Sequence, residues 1–226
     1  ASRLTPTILL NIYSMIFSVP IGILLGILAA LKKNKWQDHF VSTGVMLFIS
    51  VPSYVFAFVL QYFVGYKTGW FPVILSSLHD AGGSWFSGTM FRSMVLPTLA
   101  LSFGTIASLA RFTRAELTES LTSEYMLLAR TKGLTKGQAT VRHALKNAMV
   151  PILPSILAEF IGILGGSMIL EKLYGIPGIG DLFVSALTYK DYNVLFVDMA
   201  IFTTISLVAG VFLDISYGFI DPRIRM

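Results

Sequence analysis

Five long apolar runs set the strongest limit on what this chain can fold into. They lie near residues 7–31, 40–64, 93–111, 148–170 and 194–219. Each run is long enough to cross about 30 Å of hydrocarbon as a helix. Because unpaired backbone amides are too costly in lipid, a helix is the form expected for each run. The sequence therefore predicts an all-α polytopic membrane protein, with five visible transmembrane helices in one domain covering residues 1–226.

The overall composition agrees with a membrane protein, since 54% of the residues are hydrophobic and only 13% are charged. The sequence pI near 9.5 is typical of nucleic-acid-binding proteins as well as of membrane proteins. The position of the basic residues decides between them, because they concentrate in the loops on one side of the predicted spans. We therefore expect no nucleic-acid partner. The chain contains no cysteine, which excludes disulfides and thiol chemistry.

The distribution of basic residues predicts the orientation of the chain. Twelve of the 17 lysines and arginines lie in the loop at 32–35, the segment 111–146 and the tail at 223–225. Loops rich in lysine and arginine stay in the cytoplasm, so we expect a multi-pass protein of the cytoplasmic (inner) membrane with its C-terminus inside. Five spans then place Ala1 outside, and this predicts that one further helix precedes the present core.

The charged segment between the third and fourth runs predicts two short helices, within a cytoplasmic loop over residues 115–147. Ser123 is a typical helix cap, and Glu124 in the first turn is favoured by the positive end of the helix dipole. Gly133 suits the left-handed position that ends such a helix, and Leu134 supplies the apolar residue that commonly follows it.

The second short helix begins immediately afterwards, because Thr135 and Gln138 have the spacing of a capping box. On the first helix, Tyr125, Leu128 and Ala129 share one face by their i, i+3 and i+4 spacing. A short helix with a small apolar face outside the membrane suits docking into a groove on another protein.

Three ordered motifs resemble one family of transport proteins. The first is Glu-Tyr-x-x-x-Ala-Arg-x-Lys-Gly-Leu from Glu124 to Leu134, followed by Arg-His-Ala-Leu-Lys-Asn-Ala from Arg142 to Ala148. The second is Glu-Lys-Leu-Tyr-Gly-Ile-Pro-Gly-Ile-Gly at 171–180, and the third is the tail Asp-Pro-Arg-Ile-Arg at 221–225. They resemble the permease subunits of ABC importers, in particular the B-type subunit of the oligopeptide, dipeptide and nickel branch. The wider superfamily pattern fits loosely, since Leu-Leu-Ala at 127–129 replaces Glu-Ala-Ala.

The resemblance implies a permease that couples a translocation path to cytoplasmic ATPases by alternating access. The implied partners are a homologous permease subunit forming a heterodimer, two cytoplasmic ABC ATPase subunits, an external solute-binding protein, a peptide substrate and membrane lipid. The residues it implies for coupling are Glu124, Tyr125, Ala129, Arg130, Lys132, Gly133, Leu134, Arg142 and His143.

The sequence does not favour an enzyme. It contains no Gly-x-x-x-x-Gly-Lys-[Ser/Thr] phosphate loop, so ATP and magnesium are expected on the partner subunits and no cofactor on this chain. His39, His79 and His143 are scattered, and no metal site or catalytic set is predicted.

The candidate substrate pathway rests on polar and helix-breaking residues inside the apolar runs. Glu159 lies in the middle of the fourth run, where a carboxylate must face water or another protein group. It either faces the path and attracts the amino terminus of a peptide, or bonds to a neighbouring helix. Pro52, which permits a kink, and Ser102 complete the candidate set. Asp198 is expected to reach interfacial water near the outer end of the fifth run.

The glycine-containing motifs predict compact turns and close helix packing. Gly175, Pro177, Gly178 and Gly180 form an external loop that is either a structural turn or a gate. Gly22 and Gly26, like Gly162 and Gly166, have the spacing that lets helices approach closely, within the chain or at a subunit interface.

Three other functions remain open at this point. The family resemblance also covers import of nickel chelates. A proton- or sodium-coupled secondary transporter would use Glu159 and Asp198 as ion sites. A membrane scaffold without transport activity would act through the aromatic external loop over residues 65–92, whose rings otherwise suit the membrane interface.

Overall fold

The computed structural model describes residues 3–164 and 168–220, with the side chains of 3–159 and 168–215. The described residues form helices and contain no strand, which confirms the all-α prediction. The helices are α1 (Leu4–Leu31), α2 (Trp36–Ser50), α3 (Ser53–Leu60), α4 (Gly88–Thr122), α5 (Glu124–Thr131), α6 (Lys136–Ala139), α7 (Lys146–Leu164), α8 (Met168–Tyr174), α9 (Ile179–Tyr189) and α10 (Tyr192–Ile220). Two π-helical segments, Gln61–Lys67 and Thr140–Leu145, follow α3 and α6 directly.

Three described helices, α1, α4 and α10, are long and apolar enough to cross a membrane. The predicted span at 40–64 is instead divided into α2 and α3, which make a fourth crossing only if the interrupted pair counts as one. The break lies at Val51 and Pro52, because proline lacks an N–H and forces the preceding residue out of the helical region. The predicted span at 148–170 includes residues 160–167, whose side chains lie outside the described part.

Helix α4 extends well beyond the predicted span at 93–111. Its 35 residues include Pro97 without interruption and end at Thr122. The first eight residues of the predicted loop at 115–147 are therefore helical. Leu117 and Leu121 explain the extension, since one is buried and the other packs against the same core cluster.

The chain divides into two compact units that do not follow chain order. The first combines the chain up to Phe17 with Val51–Gly104 and Phe160–Gly210. Its core contains Leu10 of α1, Met94 and Leu96 of α4, and Leu170 and Tyr174 of α8. From the aromatic loop between α3 and α4, Phe71 and Trp85 pack against this core, while Trp70 and Phe86 are exposed.

The second unit combines Ser18–Ser50 with Thr105–Glu159 and the chain from Val211. Its main core cluster joins Ala30 of α1, Leu117 of α4, Met126 of α5 and Ile152 of α7. A smaller cluster holds α2 against α1 and α4. The two short helices α5 and α6 thus belong to a packed core and are not a free linker.

Within the second unit, α1 packs closely against α4 through two glycines. A Cβ atom at Gly22 would lie 2.8 Å from the Cβ of Leu109. A Cβ atom at Gly26 would lie 2.7 Å from the carbonyl oxygen of Ala110. The Gly22–Gly26 motif therefore serves packing within the chain. The similar motif at Gly162 and Gly166 lies outside the residues whose side chains are described.

Candidate functional site

The reversal between α5 and α6 has the geometry that the sequence predicts. Gly133 has φ +91°, in the left-handed region. Its N–H donates to the carbonyl of Arg130 at 3.0 Å, and the N–H of Leu134 donates to the carbonyl of Ala129 at 3.3 Å. This pair of bonds is the Schellman motif, which closes the end of a helix.

The capping box at the start of α6 is also confirmed. The N–H of Gln138 donates to the Thr135 hydroxyl at 3.3 Å, and the N–H of Thr135 donates to the Gln138 side chain at 3.0 Å. The two helices are therefore joined by a turn whose backbone groups are bonded on both sides, and this fixes the direction in which α5 leaves the turn.

The start of α5 differs from the prediction. Ser123 occupies the capping position by its backbone, but its side chain makes no capping bond. Its hydroxyl donates instead to the carbonyl of Ser120 at 2.6 Å. The last carbonyls of α4 have no partner further along the helix, and the carbonyl of Ser120 accepts the Ser123 hydroxyl. Glu124 does lie in the first turn, as predicted.

The predicted face of α5 is divided between the core and the surface. Ala129 is buried together with Met126, while Tyr125 and Leu128 are exposed. Leu128 keeps 55% of its surface accessible, and Leu127 beside it keeps 67%. This outer face is apolar, and four exposed basic side chains surround it or follow it in the chain: Arg130, Lys132, Lys136 and Arg142. His143 is half-buried in the following π-helical segment.

Tyr125 ties α5 to its neighbours through its phenol group. Burial raises the pKa of this phenol, but hydrogen bonds to Ser120, Ser123 and Asn147 lower it further than burial raises it. The pKa therefore lies below its ordinary value. These bonds connect α5 to the end of α4 and the start of α7.

The glycine-rich turn between α8 and α9 is built around a buried carboxylate. Glu171 is completely buried, and it accepts the Thr7 hydroxyl at 2.8 Å and the N–H of Asp181 at 3.0 Å. The N–H of Ile179 donates to the Thr7 oxygen at 3.1 Å. On the surface, Arg3 pairs with Asp181 at 3.0 Å. The turn is therefore fastened to the first turns of α1.

Small residues allow this turn to close over the carboxylate. A Cβ atom at Gly180 would lie 2.9 Å from Oε2 of Glu171, and one at Gly178 would lie closer still. Gly175 has φ +64°, which ends α8, and Pro177 follows in the turn. The Tyr174 hydroxyl donates to the carbonyl of Ala57 at 3.1 Å, so the turn is also bound to α3.

An open cleft of about 430 Å³ lies between α4 and α7 in the second unit. The predicted pathway residue Glu159 lines it, and its carboxylate bonds to Ser108. Arg111 and Ser155 line the same cleft. The structure thus places Glu159 in contact with both a neighbouring helix and an open space, which are the two alternatives left open by the sequence.

Comparison with known proteins identifies the family. Residues 22–226 match the family model of the binding-protein-dependent transport system inner membrane component. The chain belongs to this family.

Curated relatives cover this permease from end to end. It is 36% identical over its full length to a probable peptide ABC transporter permease of Sinorhizobium fredii, and covers 71% of that protein. A dipeptide transport permease of Lactococcus lactis is 35% identical, also with 71% covered. A glutathione transport permease of Escherichia coli is 33% identical, with 70% covered. The resemblance to ABC importer permeases is therefore confirmed.

Solved structures agree in fold. The inward-facing methionine ABC transporter MetNI contains a chain that matches with a TM-score of 0.75 at 18% identity, covering 97% of this permease and 95% of that chain. A chain of an amino acid ABC transporter matches with a TM-score of 0.67 at 21% identity, covering 96% and 91%.

Two polar residues of the permease lie elsewhere than expected. Ser102 is completely buried, and its hydroxyl lies 3.0 Å from the hydroxyl of Ser14 on α1, so it contacts a helix and not an open space. Asp198 keeps only 3% of its surface exposed, although the sequence predicts contact with interfacial water. The position of Asp198 along α10 sets its depth in the predicted span. The direction in which its side chain points decides how far the carboxylate is buried.

One ion pair of the permease, between α2 and α4, lies outside what its sequence predicts. Asp38 of α2 accepts two bonds from the Arg114 guanidinium, at 2.5 and 2.8 Å, and it also accepts the N–H of Asn34. Such paired bonds are the strong form of an arginine–carboxylate contact. The two residues are 76 positions apart, and no local pattern in the sequence indicates their pairing.

Proposed function

We propose that this permease forms part of the translocation path of an ATP-driven importer for short peptides, and that it works by alternating access. Its relatives from three bacteria are described as permeases for peptide, dipeptide and glutathione transport, which supports peptides as the substrate class. The permease itself carries out no ATP hydrolysis in this proposal, and ATP and magnesium bind to separate partner subunits.

The α5–α6 pair is the observation that carries the proposal. The Schellman turn at Gly133 and the capping box at Thr135 hold a short helix in a fixed direction. Its inner side packs into the core through Met126 and Ala129, and its outer side presents Leu127 and Leu128. An amphipathic helix with an exposed apolar face is suited to a groove on another protein. We place the ATPase contact here.

The other coupling residues have roles that follow from their positions. Tyr125 connects α5 to α4 and α7, and Glu124 stabilises the first turn of α5. Arg130, Lys132 and Arg142 are exposed and can form ion pairs with acidic residues around the groove. Leu134 packs against the core, and half-buried His143 lies on the following segment.

The mechanism needs partners that this chain does not contain. A homologous permease subunit would complete the path, and two cytoplasmic ATPases would bind α5 and its counterpart. An external solute-binding protein would deliver the peptide. The permease would lie in the cytoplasmic membrane, with α5 and the C-terminus inside the cell. ATP favours one conformation only to the extent that the ATPases bind it more tightly in that conformation.

The path itself is proposed along α7 at Glu159 and at the helix break next to Pro52. Irregular backbone inside a membrane is tolerated where it is covered by protein or faces a cavity. The glycine turn at 175–180 is proposed as a fixed external turn, because Glu171 and Tyr174 bind it to α1 and α3. Ser102 acts as a helix contact in this arrangement.

The decisive experiment is uptake by the complete transporter in proteoliposomes. We expect a labelled dipeptide to accumulate only when the partner permease, both ATPases, the binding protein and ATP are all present. An excess of unlabelled dipeptide should abolish the signal, and an excess of a nickel chelate should leave it unchanged.

Two results would contradict the proposal. Uptake by this permease alone, driven by a proton or sodium gradient, would identify a secondary transporter. Competition by the nickel chelate and not by the dipeptide would assign the second substrate class of the same branch.

A further inference from the structure

The cleft between α4 and α7 contains an acid and a base that are not joined to each other. Glu159 bonds to Ser108, and Arg111 makes no hydrogen bond or ion pair with any of the residues that the structure describes. Both side chains line the same open space of about 430 Å³. This volume falls in the range of pockets that bind small molecules.

The geometry of α4 sets where the Ser108 and Arg111 side chains begin. Ser108 and Arg111 are three residues apart on α4, so Arg111 begins about 4.5 Å further along the helix axis than Ser108. Since Ser108 bonds to Glu159, the point at which the Arg111 side chain begins lies about one helical turn from the acid. The two ends of an extended dipeptide are separated by roughly 7 Å, which two long side chains can accommodate.

Charge makes this cleft unusual within a membrane domain. An ionised side chain in a transmembrane helix is costly unless it faces protein, water or a ligand. An acid and a base held apart across one cleft would each be stabilised by a ligand that carries both charges. The hydroxyl of Ser155 donates to the carbonyl of Ile152, so its oxygen is still able to accept a bond from an ammonium group.

We propose that this cleft binds the two charged ends of a short zwitterionic peptide during translocation. Glu159 takes the ammonium group, with Ser155 as a second acceptor, and Arg111 takes the carboxylate. The inference rests on the proposed function, because it assigns to the peptide path a binding site and a preference for unblocked ends. Arg111 lies at the inner end of the predicted third span, so the peptide would be held on its way out of the membrane.

The test compares free and blocked dipeptides in the complete transporter. The probes are labelled Ala-Ala, N-acetyl-Ala-Ala and Ala-Ala amide, each at a concentration that saturates the isolated binding protein. Uptake rates then report on the membrane subunits. We expect the unmodified transporter to carry Ala-Ala at least roughly tenfold faster than either blocked compound, since a bond to a charged group contributes enough free energy for at least this factor.

Single substitutions separate the two ends. Glu159→Gln should lower Ala-Ala uptake to the N-acetyl rate and leave the N-acetyl compound unchanged. Arg111→Gln should lower Ala-Ala uptake to the amide rate and leave the amide unchanged, and Arg111→Lys should keep most of the preference. Glu119→Gln and Lys33→Gln, which change exposed charges outside the cleft, should alter none of the three rates.

The possible outcomes separate failure of the cleft proposal from failure of the proposed function. Equal uptake of free and blocked dipeptides by the unmodified transporter would overturn the cleft, whether or not any variant assembles. An equal loss for all three compounds in both variants would also overturn it, because a structural role is enough to explain such a loss. Absence of uptake for every dipeptide would overturn the proposed function and this inference together.

Discussion

Gly133 shows how one residue fixes the direction of α5. Its φ of +91° is a conformation that a residue with a side chain rarely adopts. A Cβ atom built there meets no other atom within 4 Å. The position therefore restricts backbone conformation and not side-chain volume.

We predict that Gly133→Val separates ATP hydrolysis from peptide uptake. A β-branched residue in this region costs of order 1–3 kcal/mol, so the Schellman turn would open and α5 would lose its fixed direction. The measurement is the number of ATP molecules hydrolysed for each peptide transported, which should rise several-fold. Gly137→Val is the matched control, because Gly137 also has open space around it but lacks a positive φ. Full uptake by Gly133→Val would contradict the role assigned to this turn.

The sequence correctly predicts those local features that depend only on residues close together in the chain. The left-handed glycine and the capping box each involve residues within a few positions, and both are confirmed. Ser123 occupies the predicted cap position, but its side chain makes no capping bond because a carbonyl of the preceding helix accepts its hydroxyl. The face of α5 was only partly predicted, since periodicity indicates which residues are neighbours but not which of them the rest of the protein covers.

The contact of α1 with α4 depends on two glycines, because their lack of side chains lets the two helices lie close together. Without Cβ atoms at Gly22 and Gly26, the backbone of α1 lies directly against Leu109, Ala110 and Thr113 of α4. Helices in lipid associate mainly by close packing, so this contact is expected to contribute strongly to the second unit.

We predict that Gly26→Leu destabilises the permease by about 1–3 kcal/mol or more, because the added side chain would overlap the backbone of α4. The measurement is the midpoint of thermal unfolding of the purified transporter in detergent, which should fall by several degrees. Gly44→Leu in α2 is the control, since no atom lies within 4 Å of a Cβ built at Gly44. An equal midpoint for the two variants would show that the close approach is not needed.

Contacts between distant elements could not be predicted from the sequence. The pairs Asp38–Arg114 and Thr7–Glu171 join residues 76 and 164 positions apart. Each depends on which helices become neighbours, and apolar runs of similar composition carry little information about this choice. The break at Pro52 could be predicted as a kink because its cause is local, although its separation of α2 from α3 could not.

In the whole molecule, lysine and arginine are concentrated on one side of the predicted spans, and this excess predicts how the chain is oriented in the membrane. It predicts that α5 and α6 lie in the cytoplasm and the loop around His79 lies outside. His79 and Lys136 are exposed, and the chain contains no cysteine that would interfere with labelling.

We predict that single cysteines will label from opposite sides of the membrane. In intact cells, a membrane-impermeant maleimide should react with His79→Cys and not with Lys136→Cys. In inside-out vesicles the pattern should reverse, and detergent should make both sites reactive. Reaction of both cysteines from the same side would exclude the proposed topology and, with it, contact between α5 and a cytoplasmic ATPase.

The buried carboxylate of Glu171 has a consequence for how this protein can change during evolution. Side chains at positions 178 and 180 would overlap the carboxylate oxygens of Glu171. A shorter residue at 171 would not by itself make room for alanine at 178, because a Cβ atom there would still overlap the Thr7 hydroxyl oxygen. At 180 the backbone Cα of Met168 would also remain, 2.8 Å from such a Cβ atom. Positions 7, 171 and 178 should therefore be inherited as a set, and glycine at 180 should persist whatever residue stands at 171.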